Sequence, residues 1–332
     1  MRRVPTTWMF ALFAFAACSG ALQGAKTLDL YFIDTEGGQA TLVVAPSGQA
    51  LLIDTGYTGF GGRDTLRIAA AAKDAGVKKI DTLLITHFHD DHVGGVANLL
   101  DRFPVATFLD HGPSIETKDY PSAYVAAFGK GQHRVVAAGD KIPIKDLDVT
   151  IVAAAGKVIG VKGEPNPNCA GIPQSTSDLE AGENSQSLAL VIQFGKFRFA
   201  DLGDLTWNKE LALLCPENKV GRVDLFLTTH HGGESPKAIW GMNPRVAIMN
   251  NGPSKGGDPA GWKNVMASPG LEDLWQLHFA LAGGKDTNVP DTFIANVDVN
   301  DQGKHLKVSA QADGSFTVTN PRNKFTKTYA AK

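Results

Sequence analysis

Cysteine is scarce: 332 residues hold three, Cys18, Cys169 and Cys215, too few for a disulfide framework to carry the fold. Charge of one sign is not in excess either. Thirty-two lysines and arginines against 34 aspartates and glutamates leave a formal net charge of −2, so nothing suggests a protein that grips nucleic acid by bulk electrostatics. Beyond the N-terminus no apolar run approaches the ~20 residues of a membrane span, and nothing repeats at a fixed period. What is present, 43% hydrophobic residues, 20% charged residues and 36 glycines, describes an ordinary globular chain, long enough to bury a large core as one big domain or two small ones.

The chain opens MRRVPTTWMFALFAFAACSGALQGAK. Two arginines, an apolar stretch from Trp8 to Ala17 and then small residues form the pattern of an export signal over residues 1–25, which leaves 26–332 as the mature domain. An anchor helix would need about twice that apolar length. Ala16-Ala17-Cys18 also resembles the site at which bacterial lipoproteins are cut and acylated, although Phe15 stands where leucine is usual; attachment to a membrane is expected only if Cys18 is lipidated. The expected location is therefore periplasmic or secreted, with Cys169 and Cys215 left as two thiols or one bridge.

Strands and helices interleave along the mature chain. Strands are expected at Thr27 to Ile33, Ala40 to Ala45, Ala50 to Ile53, Leu83 to Thr86, Val149 to Ala153, Leu188 to Phe194, Phe197 to Ala200, Leu225 to Thr228 and Val246 to Met249. Helical spacing is expected at Arg63 to Ala75, from Val96 to Leu100, at Asn208 to Leu214 and at Leu271 to His278. KHLKVSAQADGSFTVTN alternates around Asp313-Gly314 as a hairpin does. Gly156 to Asn184 is the longest unpatterned stretch, the kind of segment that is either functional or disordered.

Within this frame LLITHFHDDHVGG, Leu83 to Gly95, concentrates three of the nine histidines on a strand-to-helix loop. Residues two apart in an extended segment point to one side, so His87 and His89 can reach one ion, while Asp91 and His92, on the turn into the helix, can serve a second. Imidazole with carboxylate suits zinc, iron or manganese. The alternative is a solvated loop in which Asp90 or Asp91 only caps the next helix.

HFHDDH resembles the HxHxDH signature of the metallo-β-lactamase-fold hydrolases, and the other motifs of that family follow in order: LLIDTG with Asp54, FADLGD with Gly203-Asp204, and TTHHGG with His230 and His231. More narrowly, IDTEGGQATLV, NSQSLAL and the doubled histidine are similar to the soluble hydrolase domain of DNA-uptake competence proteins. The resemblance spans roughly Leu28 to Asn250. It implies an α/β fold, a four-layer αββα sandwich, here with the C-terminal hairpin added, and up to two Zn2+ or Mn2+ ions. His87 and His89 would hold the first ion and Asp91, His92 and His230 the second, with Asp204 bridging them and Asp54 accepting from a ligand imidazole. Asp91 and His231 are the expected catalytic residues, His231 by donating to the leaving group or to the oxyanion. One departure stands out: the family's further histidine before Gly-Asp is missing, because no histidine lies between His133 and His230. Glu183 or Asn184 stands near that position, and His111 or His133 could substitute.

The activity this implies is hydrolysis by a metal-bound hydroxide in an exported enzyme, first on phosphodiesters, with lactones, thioesters or β-lactams as the alternative. A non-catalytic metal-binding protein of the same fold is the rival from another class. Ile53-Asp54-Thr55-Gly56 with Ile33-Asp34-Thr35 also resembles the paired turns of aspartic proteases, but the second lacks its glycine and the two stand too close for matching lobes.

Overall fold

The computed structural model describes residues 26–116, 122–298 and 302–332; the expected export segment, Cys18 included, lies outside the described residues. The chain first lays down β1 (Leu28–Phe32), β2 (Thr41–Val44) and β3 (Ala50–Ile53), then α1 (Arg63–Asp74), β4 (Ile80–Leu84), α2 (Asp90–Val93), α3 (Val96–Leu100), β5 (Val105–Asp110), α4 (Ser122–Ala127) and β6 (Gln132–Val135). There follow β7 (Lys141–Ile142), β8 (Asp148–Ala154), β9 (Lys157–Val158), β10 (Glu164–Pro165), β11 (Ala189–Phe194), β12 (Phe197–Asp201), α5 (Trp207–Leu214), β13 (Glu217–Asn218), β14 (Leu225–Leu227) and β15 (Val246–Met249). The chain ends with α6 (Pro259–Met266), β16 (Asp273–His278), β17 (Ile294–Asn296), β18 (Leu306–Ala310), β19 (Phe316–Asn320) and β20 (Phe325–Tyr329).

Among the described residues two nine-stranded sheets result, beside a small pair of β10 and β13. One runs β20-β19-β18-β1-β2-β3-β4-β5-β6 and the other β17-β16-β15-β14-β12-β11-β8-β7, with β9 on β8. Alternation along each strand divides its side chains between two layers. Leu28, Leu30 and Phe32 of β1 meet Ile151, Phe199, Ile248 and Trp275 between the sheets. Tyr31 and Ile33 point the other way, to Ile68 of α1, Val93 of α2 and Leu99 of α3. On the outer face of the second sheet, Ala200 and Phe226 pack on Leu211 and Leu214 of α5 and Val265 of α6. Helix, sheet, sheet and helix are therefore stacked in four layers, and the hairpin around Asp313-Gly314 forms as β18 and β19, lengthened by β20.

Leu271 to His278 is a correction: instead of a helix, Asp273–His278 is a strand lying parallel between β15 and β17. The run is apolar enough for a buried helix, but its period is two. Leu274 enters the outer layer while Trp275 and Leu277 enter the core between the sheets, as in strands covered on both faces. Trp275 Nε1 donates to Tyr329 Oη at 3.0 Å and Tyr329 Oη donates to Asp273 Oδ2 at 2.7 Å, joining β16 to β20 of the other sheet. The strand expected at Leu83 to Thr86 is β4, which ends at Leu84, so Ile85 to His89 are free to form a loop. Gly156 to Asn184 is ordered by three 3₁₀ turns and by the Cys169–Cys215 disulfide, which ties it to the end of α5.

Glu210 of α5 lies beneath the turn that carries the doubled histidine. Its Oε1 accepts from Thr229 Oγ1 at 2.7 Å and Ser235 Oγ at 3.1 Å, so one carboxyl grips both ends of that turn. Burial pushes this carboxyl up to about 8, against the two hydroxyl hydrogen bonds. A raised acid pKa destabilises the fold as pH climbs, because the unfolded chain loses the proton first. Between the ordinary glutamate value and pH 8, wild type should lose stability relative to Glu210→Gln by on the order of a few kcal/mol. Urea denaturation of both proteins at pH 5 and pH 8.5 checks this, and an unchanged difference would show that the carboxyl is ionised at neutral pH.

Candidate metal centre

The site lies where β3 and β4 of one sheet and β12 and β14 of the other end together. Asp54, just past β3, has left-handed backbone (φ 60°), a region that aspartate enters more readily than most residues. This aims its carboxylate at the histidine loop, where it accepts from Thr86 N and Thr86 Oγ1, each at 2.7 Å, and from His92 Nδ1 at 2.7 Å. With Nδ1 as donor, His92 turns Nε2 inward. The loop is braced from behind: Thr55 N donates to His92 O, Gln39 N donates to Asp91 O, and Gly38 passes so close that a Cβ there would lie 2.4 Å from Asp91 O.

Four ligand-type side chains, Asp91, His92, Asp204 and His231, converge with one atom each inside 4.8 Å, all buried. His92 Nε2 lies 3.3 Å from Asp204 Oδ2 and 3.4 Å from Asp91 Oδ2. His231 Nε2 lies 3.2 Å and 3.1 Å from the same two oxygens. Burial alone would favour protonated Asp91 and Asp204, yet the neighbouring imidazoles hold both carboxyls well below the usual range. The same carboxylates outweigh burial at His92 and His231 and raise both. Asp204 Oδ1 is buried without a hydrogen-bond partner, an arrangement that costs free energy unless a further group meets it. Two anionic oxygens, two imidazole nitrogens and an orphaned oxygen fit a divalent cation.

His87 stands on the flank of this group, with Nε2 3.9 Å from Asp204 Oδ2 and 3.0 Å from His89 Nδ1; burial, then the charge on His92, keeps His87 well below its ordinary value. The two members of the doubled histidine are placed differently. His231, 1% exposed, is among the four, whereas His230 is 36% exposed at its side chain and 3.6 Å from Asp204 Oδ2. Both residues have left-handed backbone (φ 50° and 58°), so the alternation that would send them to opposite sides of a strand does not operate. Asn184 Nδ2 lies 3.3 Å from His230 Nε2, and Asn184 Oδ1 is buried and unpartnered.

Glu183 and His111 are brought to each other and not to the four. Glu183 accepts from His111 Nε2 at 2.9 Å, Phe88 N at 3.3 Å, and Ser114 Oγ and Ile115 N, each at 3.0 Å. It fastens the segment after β5 to the histidine loop. His133 Nε2 is bound by Asp110 Oδ2 at 2.7 Å. Asp34 pairs with Arg67 at 2.9 Å while Asp54 serves His92, so no carboxyl dyad of the protease type forms. Asp201, not singled out in the sequence, accepts from Gln39 Nε2 at 2.8 Å and Gly203 N at 2.9 Å; burial raises its carboxyl to about 7. Its signal was its place two residues before Gly203. Asn250, 3.2 Å from His231 Nδ1 through Nδ2, and Lys255, which donates to Asp91 Oδ2, lie in a segment that matches no ligand pattern.

Residues 34–173 match the family model of the metallo-beta-lactamase superfamily. ComE operon protein 3 of Bacillus subtilis is 26% identical over 265 residues, 74% of this chain and 30% of that protein. The hydroxyacylglutathione hydrolase of Erwinia tasmaniensis is 41% identical over 78 residues, 24% of this chain, and the chain spans about a quarter (26%) of that protein's length. Among solved structures, the metallo-beta-lactamase fold protein YhfI from Bacillus subtilis aligns with a TM-score of 0.46 at 11% identity, covering 75% of this chain and 96% of that one. Over residues 34–173 the chain is thus similar to the metallo-beta-lactamase superfamily, a stretch that holds the motifs from Asp54 to His92 and lies within its αββα layers.

Proposed function

We propose that this chain is an exported, metal-dependent hydrolase acting on phosphodiesters. The observation that carries the reading is the convergence of Asp91, His92, Asp204 and His231 within 4.8 Å, beside a cleft of about 400 Å³ lined by His230, His231 and Lys255. The ion proposed is Zn2+, with Mn2+ as the alternative; Asp91, His92, His231 and Asp204 would hold one, and His87 and His89 would help to hold a second on the other flank of Asp204. Such ions supply Lewis acidity and lower the pKa of a coordinated water toward neutrality. Asp54, by taking the Nδ1 proton of His92, keeps that imidazole oriented. His231 is assigned to the ligands, and His230, on the cleft wall, to donating a proton to the leaving group.

Phosphodiesters rank first because the match to ComE operon protein 3 runs along 74% of the chain and carries the resemblance to the competence-protein hydrolase domain. Thioesters rank second, from the higher identity to hydroxyacylglutathione hydrolase over 24% of the chain. Export rests on the N-terminal pattern, with lipidation at Cys18 as its variant, and a Cys169–Cys215 disulfide fits an oxidising compartment.

Purified protein supplied with Zn2+ should hydrolyse bis-p-nitrophenyl phosphate and lose that activity to a chelator. Turnover only of a thioester, lactone or β-lactam would move the substrate class, and a metal-loaded protein inert toward all four would be a binder. His231→Ala should lower metal content, measured by elemental analysis, together with rate. His230→Ala should keep its metal and lose rate by about 10² to 10⁴, the usual effect of removing a general acid. The opposite pattern would exchange the two roles.

A further inference from the structure

Lys255 sits in the turn after β15, where its backbone is fixed from three directions. Gly252 N donates to Lys255 O at 2.8 Å. Gly256 lies against the doubled histidine, so that a Cβ there would be 2.3 Å from His231 O, and Gly37 (φ 96°) lies so close that a Cβ would be 2.7 Å from Lys255 Cβ. From this base the side chain, 43% exposed, reaches Asp91, and its Nζ lies 5.4 Å from the centre of the Tyr57 ring. Its acceptor is Asp91 Oδ2, the oxygen that also stands 3.1 Å from His231 Nε2 and 3.4 Å from His92 Nε2.

The cleft beside it has an uneven charge. Glu180, Glu234 and Asp258 line it, and among the described residues Lys255 is its single lysine or arginine. An anion entering such a cleft meets three carboxylates and a single ammonium, that of Lys255. Lysine is suited to that duty because its ammonium is a compact charge on a flexible stem, able to change partners without moving the backbone.

We propose that Lys255 and a divalent cation are alternative partners of Asp91 Oδ2, and that metal binding releases the ammonium into the cleft, where it holds an anionic oxygen of the ligand. Two cations at one oxygen repel, so the lysine weakens metal binding on the Asp91 side and gains a new partner when the metal wins. Only the identification of that ligand as a substrate rests on the hydrolase reading.

Two equilibrium measurements on the full chain test the exchange, neither of them an activity. Competition with a chromophoric chelator should find that Lys255→Gln binds Zn2+ about tenfold more tightly than wild type, the scale expected for removing a neighbouring like charge. Calorimetry on the Zn2+-loaded proteins should find that Lys255→Gln binds inorganic phosphate about tenfold more weakly, with Lys255→Arg, which keeps the charge, close to wild type. Unchanged Zn2+ affinity in Lys255→Gln overturns the shared oxygen; unchanged phosphate affinity overturns the release into the cleft. If both binding results hold and no ester is turned over, it is the hydrolase reading that fails.

Discussion

The hydrogen bond between Asp54 and His92 is the constraint on which the site depends. A carboxylate buried at the end of β3 takes three hydrogen bonds, two from Thr86 and one from His92 Nδ1, each at 2.7 Å. Bonds of this charge-assisted kind contribute roughly 1.5–3 kcal/mol each. Their geometric effect is larger than their energy. They fix where the chain turns on leaving β4, which nitrogen of His92 faces inward, and thereby where Asp91 must stand. From there the order spreads: Leu188 N donates to Thr86 O, which joins the loops of the two sheets, and His230 N donates to Gly203 O, which joins two loops of the second sheet.

The electrostatics follow from that stitching. Buried carboxylates are costly alone and buried imidazoles resist charge, yet here two of each are forced within hydrogen-bonding range. Each sign stabilises the other, which is why Asp91 and Asp204 are held low while His92 and His231 are raised. The fold brings to the site a set of groups that would not stay together in a flexible chain. Asp201, close by but hydrogen-bonded by Gln39 and Gly203 N rather than by an imidazole, is driven by burial up to about 7.

Much of the fold and part of the site were legible in the sequence, for reasons that differ by residue. Asp91 and His92 could be read as neighbours in one site, because polar groups crowded into six positions after an apolar strand tend to share a purpose, whereas His87 stands on the flank of the four and His89 beside it. The strand ends at Ile53 and Asp201 were marked by the motifs that follow or overlap them. The helix expected at Leu271 to His278 misled because a short run that is apolar on both sides is ambiguous between a buried helix and a strand covered on two faces. The doubled histidine could not be divided by spacing, since its geometry comes from two consecutive left-handed residues that alternation does not describe. Glu210 and Lys255 carried no local signal at all; a glutamate on a helix and a lysine in a glycine-rich turn become notable only through what the tertiary structure sets against them.

The order of the first sheet has a consequence for how the molecule is made. β1 lies between β2, its neighbour in sequence, and β18, which comes from the last thirty residues. Until those residues are available, the N-terminal strand has an open edge, and the core between the sheets lacks Val308, Phe316 and Tyr329. A chain emerging from its N-terminus therefore leaves this side of the core open until β18 to β20 have been made. Such long-range pairing is slow to form, so the edge of β1 stays unpaired until one of the latest-made strands docks on it.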